Sequence, residues 1–440
     1  MAEQWCGQLA DDLFDELHPI ADGNAVPGFV VSVRDSSGES SRCHGRASVH
    51  DLRPVTPATR FQVGSVSKVL CAHLVLDLIG AGALAAHDPI RRYVPEFAPQ
   101  SLPGDREVTV DDLLTHRSGF DGDYHINTGF GVDALDLVVP AANSAARLAP
   151  PGCWYSYSNL GFALLGLVVQ RVVGRPFEDV AAERVLGPLA MSTAGYHWQR
   201  PAGQDVAVGH RQRNGDIEAV DWSRPRCRMP NGGLVACAGD LTLMAASMAR
   251  SHAPALLADA AGFADGAGPV SFLDVGATGT LCWHDGATPG FRSIVGWTND
   301  VAVSMVCNGN HGIDLVRSAR AWMQRVLVGG CAAISSGSMP IDVDEVVGTY
   351  RAPSIAGYHD VTPTKIVIDH SANEGASLRV LGAGGRYAMR WSGDRFAIHP
   401  SEHGVDTGMV LRRGERVVAI GWQGRVLPRV SDAAAPVGAG

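Results

Sequence analysis

Lysine is almost missing from this chain. Among 440 residues it occurs only at positions 68 and 365, and the remaining 34 of the 36 basic residues are arginines. Acidic residues number 45, for a net charge of −9, and no basic run with interleaved aromatics occurs. Both features argue against a nucleic acid or an anionic membrane surface as partner. No apolar run is long enough to span a bilayer. The opening MAEQWCGQLADDLFDELHPI has neither a basic start nor a continuous apolar stretch, so it does not read as a secretory signal. The expected compartment is the cytosol. The nine cysteines are odd in number and never spaced CxxC, which predicts free thiols buried as small hydrophobes. The sixteen histidines include no HExxH and no tight Cys/His cluster, so neither a metal nor another cofactor is expected.

The scarcity of lysine has a chemical meaning. Arginine stays protonated in proteins, whereas lysine can lose its proton. A chain that uses arginine nearly everywhere and keeps a lysine at 68 points to that position.

What is present suffices for a large core: 46% of residues are hydrophobic. The length suggests one large domain and one small one. Trp5, Leu9, Leu13 and Leu17 mark an amphipathic N-terminal helix. The β-branched run 28–35 reads as a hairpin strand with a partner near 41–48. Phe61 to Lys68 opens a long apolar helix to about Ile79, stopped by Gly80 and Gly82. Asp111 to Gly119 reads as a helix with a glycine cap. Two further helices are expected at Leu160–Val173 and Ala238–Met248. Strands 291–297 and 301–306 flank a short hairpin loop, and a helix follows at about 314–328. Strands at both ends with helices between them make an α+β layout around one antiparallel sheet. A linker is expected at Ile334–Pro340. Beyond it, seven short strands (346–351, 364–369, 377–381, 386–391, 394–399, 408–412 and 416–422) suggest a small barrel or sandwich. The tail after Val430 is expected to be disordered. The domains are therefore placed at 1–333 and 341–432.

Three short segments carry chemistry. Residues i and i+3 share a helix face, so Ser65 and Lys68 can meet. A desolvated ammonium gives up its proton more readily, and the neutral amine can accept the serine proton. Ser67 is the lesser candidate. Tyr157-Ser158-Asn159 precedes an apolar helix. Tyr157 near a lysine can relay a proton to a leaving group, and Asn159 can bond both Lys68 and a substrate carbonyl. His284-Asp285-Gly286-Ala287 is the third. On a strand edge, the Ala287 amide paired with that of Ser65 would form an oxyanion hole. Gly286 would let substrate backbone approach, and His284 would tune the Lys68–Tyr157 pair or bind polar groups of the substrate.

Together, SxxK, YxN and HxG in this order resemble the class C β-lactamase and penicillin-binding-protein superfamily. Further stretches resemble it too: Phe61-Gln-Val-Gly64, Leu113-Leu-Thr-His-Arg-Ser-Gly119, Pro151 to Asn159, Asn231-Gly-Gly-Leu-Val-Ala236 and His284 to Phe291. The resemblance spans about residues 20–330. It implies an antiparallel sheet with flanking helices and an inserted helical subdomain. It also implies Ser65 as the acylated nucleophile, Lys68 and Tyr157 as the proton-transfer pair and Asn159 as a substrate-positioning group. His284 stands where β-lactamases of this class carry Lys-Thr-Gly. A histidine near neutrality serves a β-lactam carboxylate less well than a fixed cation, so ester, thioester or amide donors are expected instead. Relatives with an appended lipocalin-like domain include D-amino-acid amidases, esterases and penicillin-binding-type thioesterases of peptide antibiotic pathways. The resemblance to these implies acyl transfer from a small-molecule ester or carrier-bound thioester to an amine or to water. Arg425 or Arg429 would then reach over the pocket to an acceptor carboxylate. Two alternatives stay open: a plain esterase or D-amino-acid amidase, and a binding protein without catalysis.

Overall fold

The computed structural model describes residues 2–51, 53–120, 126–197, 205–222, 224–251, 266–267 and 270–330, and eight strands between 348 and 429. The expected linker 334–340 and the tail after Val430 lie outside the described residues.

The chain is α+β. A seven-stranded antiparallel sheet runs in spatial order Gly38–Gly45, Gly28–Asp35, Ala302–Cys307, Phe291–Trp297, Thr280–Thr288, Phe272–Val275 and Gly266–Ala267. The N-terminal hairpin thus pairs with the late strands, Phe29 opposite Cys307 and Arg34 opposite Ala302. Its central strands are buried on both faces, and side chains alternate between two cores. Val30, Val295 and Val306 face the core that contains the helices Ser67–Gly80 and Asn159–Val173. Phe29, Val31, Ile294 and Met305 face the core under the terminal helices Ala2–Gly23 and Ile313–Leu327. Each fully buried residue of this size contributes about 1.5–3 kcal/mol by leaving water.

Leu9, Leu13 and Leu17 of the first helix are buried as expected, but Trp5 is half exposed. The buried stripe runs instead through Cys6, Ala10 and Ala21, because a 3.6-residue repeat drifts off a strict four-residue spacing. Two expected helices are shorter than their sequence patterns. Phe61–Gln62 pairs with the strand Leu234–Ala236, and only from Ser67 to Gly80 is the chain α-helical. The helix at 111 covers only Val110–Leu114, started by a capping box between Thr109 and Asp112. The helix Asn159–Val173 ends as expected at Gly174, which is left-handed at φ +73°. No single helix among the described residues is long and apolar enough to cross a membrane.

Eight cysteines are described and all are free. The expectation of buried thiols fails at Cys153, which is exposed, and at Cys43 and Cys282, which are half-buried.

The C-terminal strands pair each with the next, from Gly348–Arg351 to Arg425–Pro428. The last was not anticipated. A bridge between Tyr350 and Arg429 joins the first strand to it and closes a barrel. Ala419 of the barrel packs on Leu148 and Trp154, in the segment that leads to Tyr157.

Candidate active site

The site begins at a glycine. Gly64 has φ +53°, and a Cβ there would stand 2.7 Å from both N and O of Ala287. The backbone before Ser65 therefore runs against the backbone of Ala287, on the strand Thr280–Thr288, and only glycine allows both the dihedral and the contact. Ser65 sits in the single 3-10 turn Gly64–Val66, just ahead of the helix that carries Lys68. Side chains three apart eclipse in a 3-10 turn, which brings the two together.

Lys68 is completely buried. Its Nζ is 3.0 Å from Ser65 Oγ, 2.7 Å from Asn159 Oδ1 and 2.9 Å from the Asn231 carbonyl oxygen. The last two atoms can only accept. A neutral amine has two N–H groups and one lone pair. When the N–H groups serve these carbonyls, the lone pair is left for the hydroxyl of Ser65. Ser67 is committed elsewhere: its Oγ donates to the Gly64 carbonyl at 2.6 Å and accepts from the Leu234 N–H at 2.9 Å.

Asn159 opens its helix, capped by Ser158, whose Oγ accepts from the Gly161 N–H at 3.0 Å. Asn231 holds it from the other side, donating from Nδ2 to the Asn159 carbonyl at 3.0 Å. The ring of Tyr157 faces Lys68, with Nζ 4.8 Å from its centroid.

His116 clamps this segment. Its carbonyl accepts from the Ser156 N–H at 2.7 Å, and its Nδ1 accepts from the Ser158 N–H at 2.9 Å. Its ring lies 4.5 Å from that of Tyr157. To do this His116 adopts φ +57°, a left-handed conformation that is uncommon outside glycine. Burial first, then Lys68 and His284, hold its pKa well below the usual imidazole value. The ring is therefore neutral, with its proton on Nε2.

His284 is buried on the strand Thr280–Thr288, 6.0 Å from the Tyr157 ring. Its Nδ1 lies 2.6 Å from the Asp285 carbonyl, which requires a proton on Nδ1. Burial, and secondarily Lys68, push its pKa down to about 3. The expectation of a histidine near neutrality is thus corrected: the ring is uncharged at pH 7. Its Nε2 is a buried acceptor without a hydrogen-bond partner among the described residues.

Gly286 also departs from its expected place. A Cβ there would stand 2.0 Å from the Val63 carbonyl oxygen and 2.4 Å from Ser293 Oγ. On the side a Cβ would occupy, the close approach is made by the chain's own Val63 and Ser293. Ala287, next along, is exposed. Arg425 begins the last barrel strand, and its side chain lies outside the described residues. Arg429 lies at the barrel seam beside Tyr350.

The structure thus gathers Ser65, Lys68, Tyr157, Asn159, His284 and Ala287 from three separate segments. Sequence reasoning gave no role to His116 or Asn231, although both lie in stretches it had singled out.

Residues 15–327 match the Beta-lactamase family model. The chain belongs to the beta-lactamase family. Among curated family relatives, Penicillin-binding protein 4 of Amycolatopsis lactamdurans is 34% identical over 43% of this chain and 51% of its own length. Esterase EstB of Burkholderia gladioli is 30% identical over 42% and 50%. A D-aminopeptidase of Cereibacter sphaeroides is 32% identical over 38% and 33%. The chain thus spans about half the length of two of these relatives and a third of the other. Among solved structures, SurE matches over 96% of this chain and 100% of its own, with TM-score 0.75 and 26% identity. SurE with D-Leu matches over the same shares, with TM-score 0.73 and 25% identity. These matches support a serine hydrolase of the beta-lactamase fold.

Proposed function

We propose that this chain is a serine acyl-enzyme catalyst that moves an acyl group from a small-molecule ester or thioester to an amine or to water. The observation that carries this reading is the contact set of Lys68: a buried amine that touches Ser65 Oγ and two carbonyl-type oxygens. In its neutral form such an amine can take the serine proton.

In the proposed cycle, Lys68 Nζ accepts the hydroxyl proton while Ser65 Oγ bonds to the donor carbonyl carbon. The N–H groups of Ser65 and Ala287 meet the resulting oxyanion. Collapse breaks the bond to the alkoxide or thiolate, which leaves with a proton passed through Tyr157. An amine or water then yields a proton to the Lys68–Tyr157 pair and attacks the Ser65 ester, and Ser65 leaves reprotonated. Asn159 holds Lys68 and orients the donor. The uncharged His284 presents Nε2 to an N–H or O–H of the substrate.

That neutral histidine also supports an ester or thioester over a β-lactam, because it offers no positive charge to a ring carboxylate. The D-aminopeptidase relative and the SurE structure with D-Leu support a donor with a D-configured acylating residue. The expected setting is the assembly of a small natural product, with neither nucleic acid nor membrane as partner. A second reading, a plain ester hydrolase, has the support of the EstB relative.

The test uses the full chain with thiophenyl and methyl esters of D- and L-amino acids, followed by intact mass. A one-acyl adduct that Ser65→Ala abolishes is expected, formed faster from the D-series. If no activated ester or fluorophosphonate ever modifies Ser65, the catalyst reading fails and a binding protein remains. Graded additions of amine should divert product from acid to amide; an unchanged acid yield would reduce the enzyme to a hydrolase.

A further inference from the structure

A second cluster of reactive side chains lies apart from the serine site, on the outer edge of the large sheet. His18 and Asp22 stand one turn apart on the helix Ala2–Gly23, so they share a face. His44 comes from the strand Gly38–Gly45, the edge strand that this helix covers. His18 Nε2 is 3.4 Å from one carboxylate oxygen of Asp22, and His44 Nε2 is 3.1 Å from the other. One donor atom from each residue lies within 4.8 Å of the other two.

These spacings suit a tetrahedral metal. With metal–nitrogen distances of about 2.0–2.1 Å, neighbouring ligand atoms are about 3.3 Å apart. Each imidazole lies near that distance from Asp22, though from a different carboxylate oxygen, and a rotation of the exposed Asp22 carboxylate with a small shift of the two rings brings one oxygen and both nitrogens around a single ion. The rings are also held in place. Phe14 stacks on His18 at 5.4 Å, Phe29 lies 5.5 Å from His44, and the two imidazoles meet edge to face at 4.4 Å. Two nitrogens and one oxygen favour a zinc-like ion over magnesium or calcium, which prefer all-oxygen shells.

We infer that His18, Asp22 and His44 form a binding site for a divalent transition metal, best suited to Zn²⁺, that staples the N-terminal helix to the edge strand of the sheet. Water fills the fourth position at the open surface. The site is invisible to motif reading because its ligands come from a helix and a strand 22 residues further along. It takes no part in the Ser65 chemistry, so its role is to fix the helix that covers one face of the sheet.

The test uses the chelator-stripped full chain titrated with ZnCl2 alone, and separately with Co²⁺ as a spectroscopic probe. Wild type should take up one Zn²⁺ per chain, melt about 3 °C higher at saturating metal, and give the visible absorption of four-coordinate Co²⁺. His18→Ala and Asp22→Asn alter exposed side chains, so they should fold normally. Each should weaken binding at least about tenfold and lose the thermal gain, with turnover on model esters unchanged. The inference is overturned if wild type shows no stoichiometric uptake. It is equally overturned if uptake is the same in His18→Ala and Asp22→Asn. In either case Asp22 serves only as a hydrogen-bond acceptor for two imidazoles.

Discussion

At the scale of single residues, the site turns on what a lysine can do and an arginine cannot. Lys68 touches Ser65, Asn159 and Asn231 at hydrogen-bond distance. Lys68→Arg puts a permanently charged guanidinium where an amine able to accept a proton stood. The expected result is a loss of about 10²–10⁴-fold in kcat/KM on a model ester, with the fold intact by circular dichroism. His116 is a positioning residue: it touches the Tyr157 segment through its carbonyl, Nδ1 and ring. His116→Asn tolerates the left-handed backbone but removes the ring that packs on Tyr157. We expect kcat to fall about 10²-fold with KM little changed. Slow labelling of Ser65 by a fluorophosphonate should persist, and the pH–rate profile should shift as Tyr157 loses its fixed place. A purely structural role would lower the melting temperature and leave that profile alone.

At the scale of elements, the junction between the 3-10 turn Gly64–Val66 and the strand Thr280–Thr288 determines whether the two amides of the proposed oxyanion hole can face one carbonyl. Gly64→Ala forces a Cβ to within 2.7 Å of Ala287 backbone at a positive φ. The backbones must separate. The expected cost is about 1–3 kcal/mol in a urea melt and about 10²–10³-fold in kcat, the size of a lost oxyanion donor. Elements of this kind were unevenly legible in the sequence. Long apolar segments with glycine stops, such as Asn159–Val173, were read to within a residue. The strand Phe61–Gln62 was absorbed into a helix, because its short apolar run has no period of its own and its partner, Leu234–Ala236, is distant in sequence. The hairpin Gly209–Arg213 with Asp216–Val220 was missed despite a usable signal. Asn214-Gly215 forms its two-residue turn, with φ +53° and +91°, the sequence that such turns prefer. The roles of His116 and Asn231 were hidden for another reason. Each acts partly through its backbone carbonyl, which no side-chain pattern reports.

At the scale of the whole molecule, bringing six residues from distant segments into one site means burying imidazoles that would rather be charged in acid. His284 has its pKa held at about 3, against about 6.5 in an unfolded chain. Below pH 6.5 the unfolded state therefore binds a proton that the folded state refuses, and stability falls as pH falls, down to about pH 3. Above pH 6.5 both states are neutral and the effect vanishes. The slope from this one group is about 1.4 kcal/mol per pH unit within that window. His116 is depressed in the same direction by the same burial, so it adds to the acid sensitivity. His284→Gln removes one titrating group. Urea midpoints measured from pH 7.5 to 4.5 should thus decline less steeply in the variant than in wild type, by a stability slope equivalent to about one proton. If the two slopes coincide, His284 is protonated in the folded chain within that range. The proposed preference for an ester or thioester over a donor with a ring carboxylate, which rests on that neutral imidazole, would then be wrong as well.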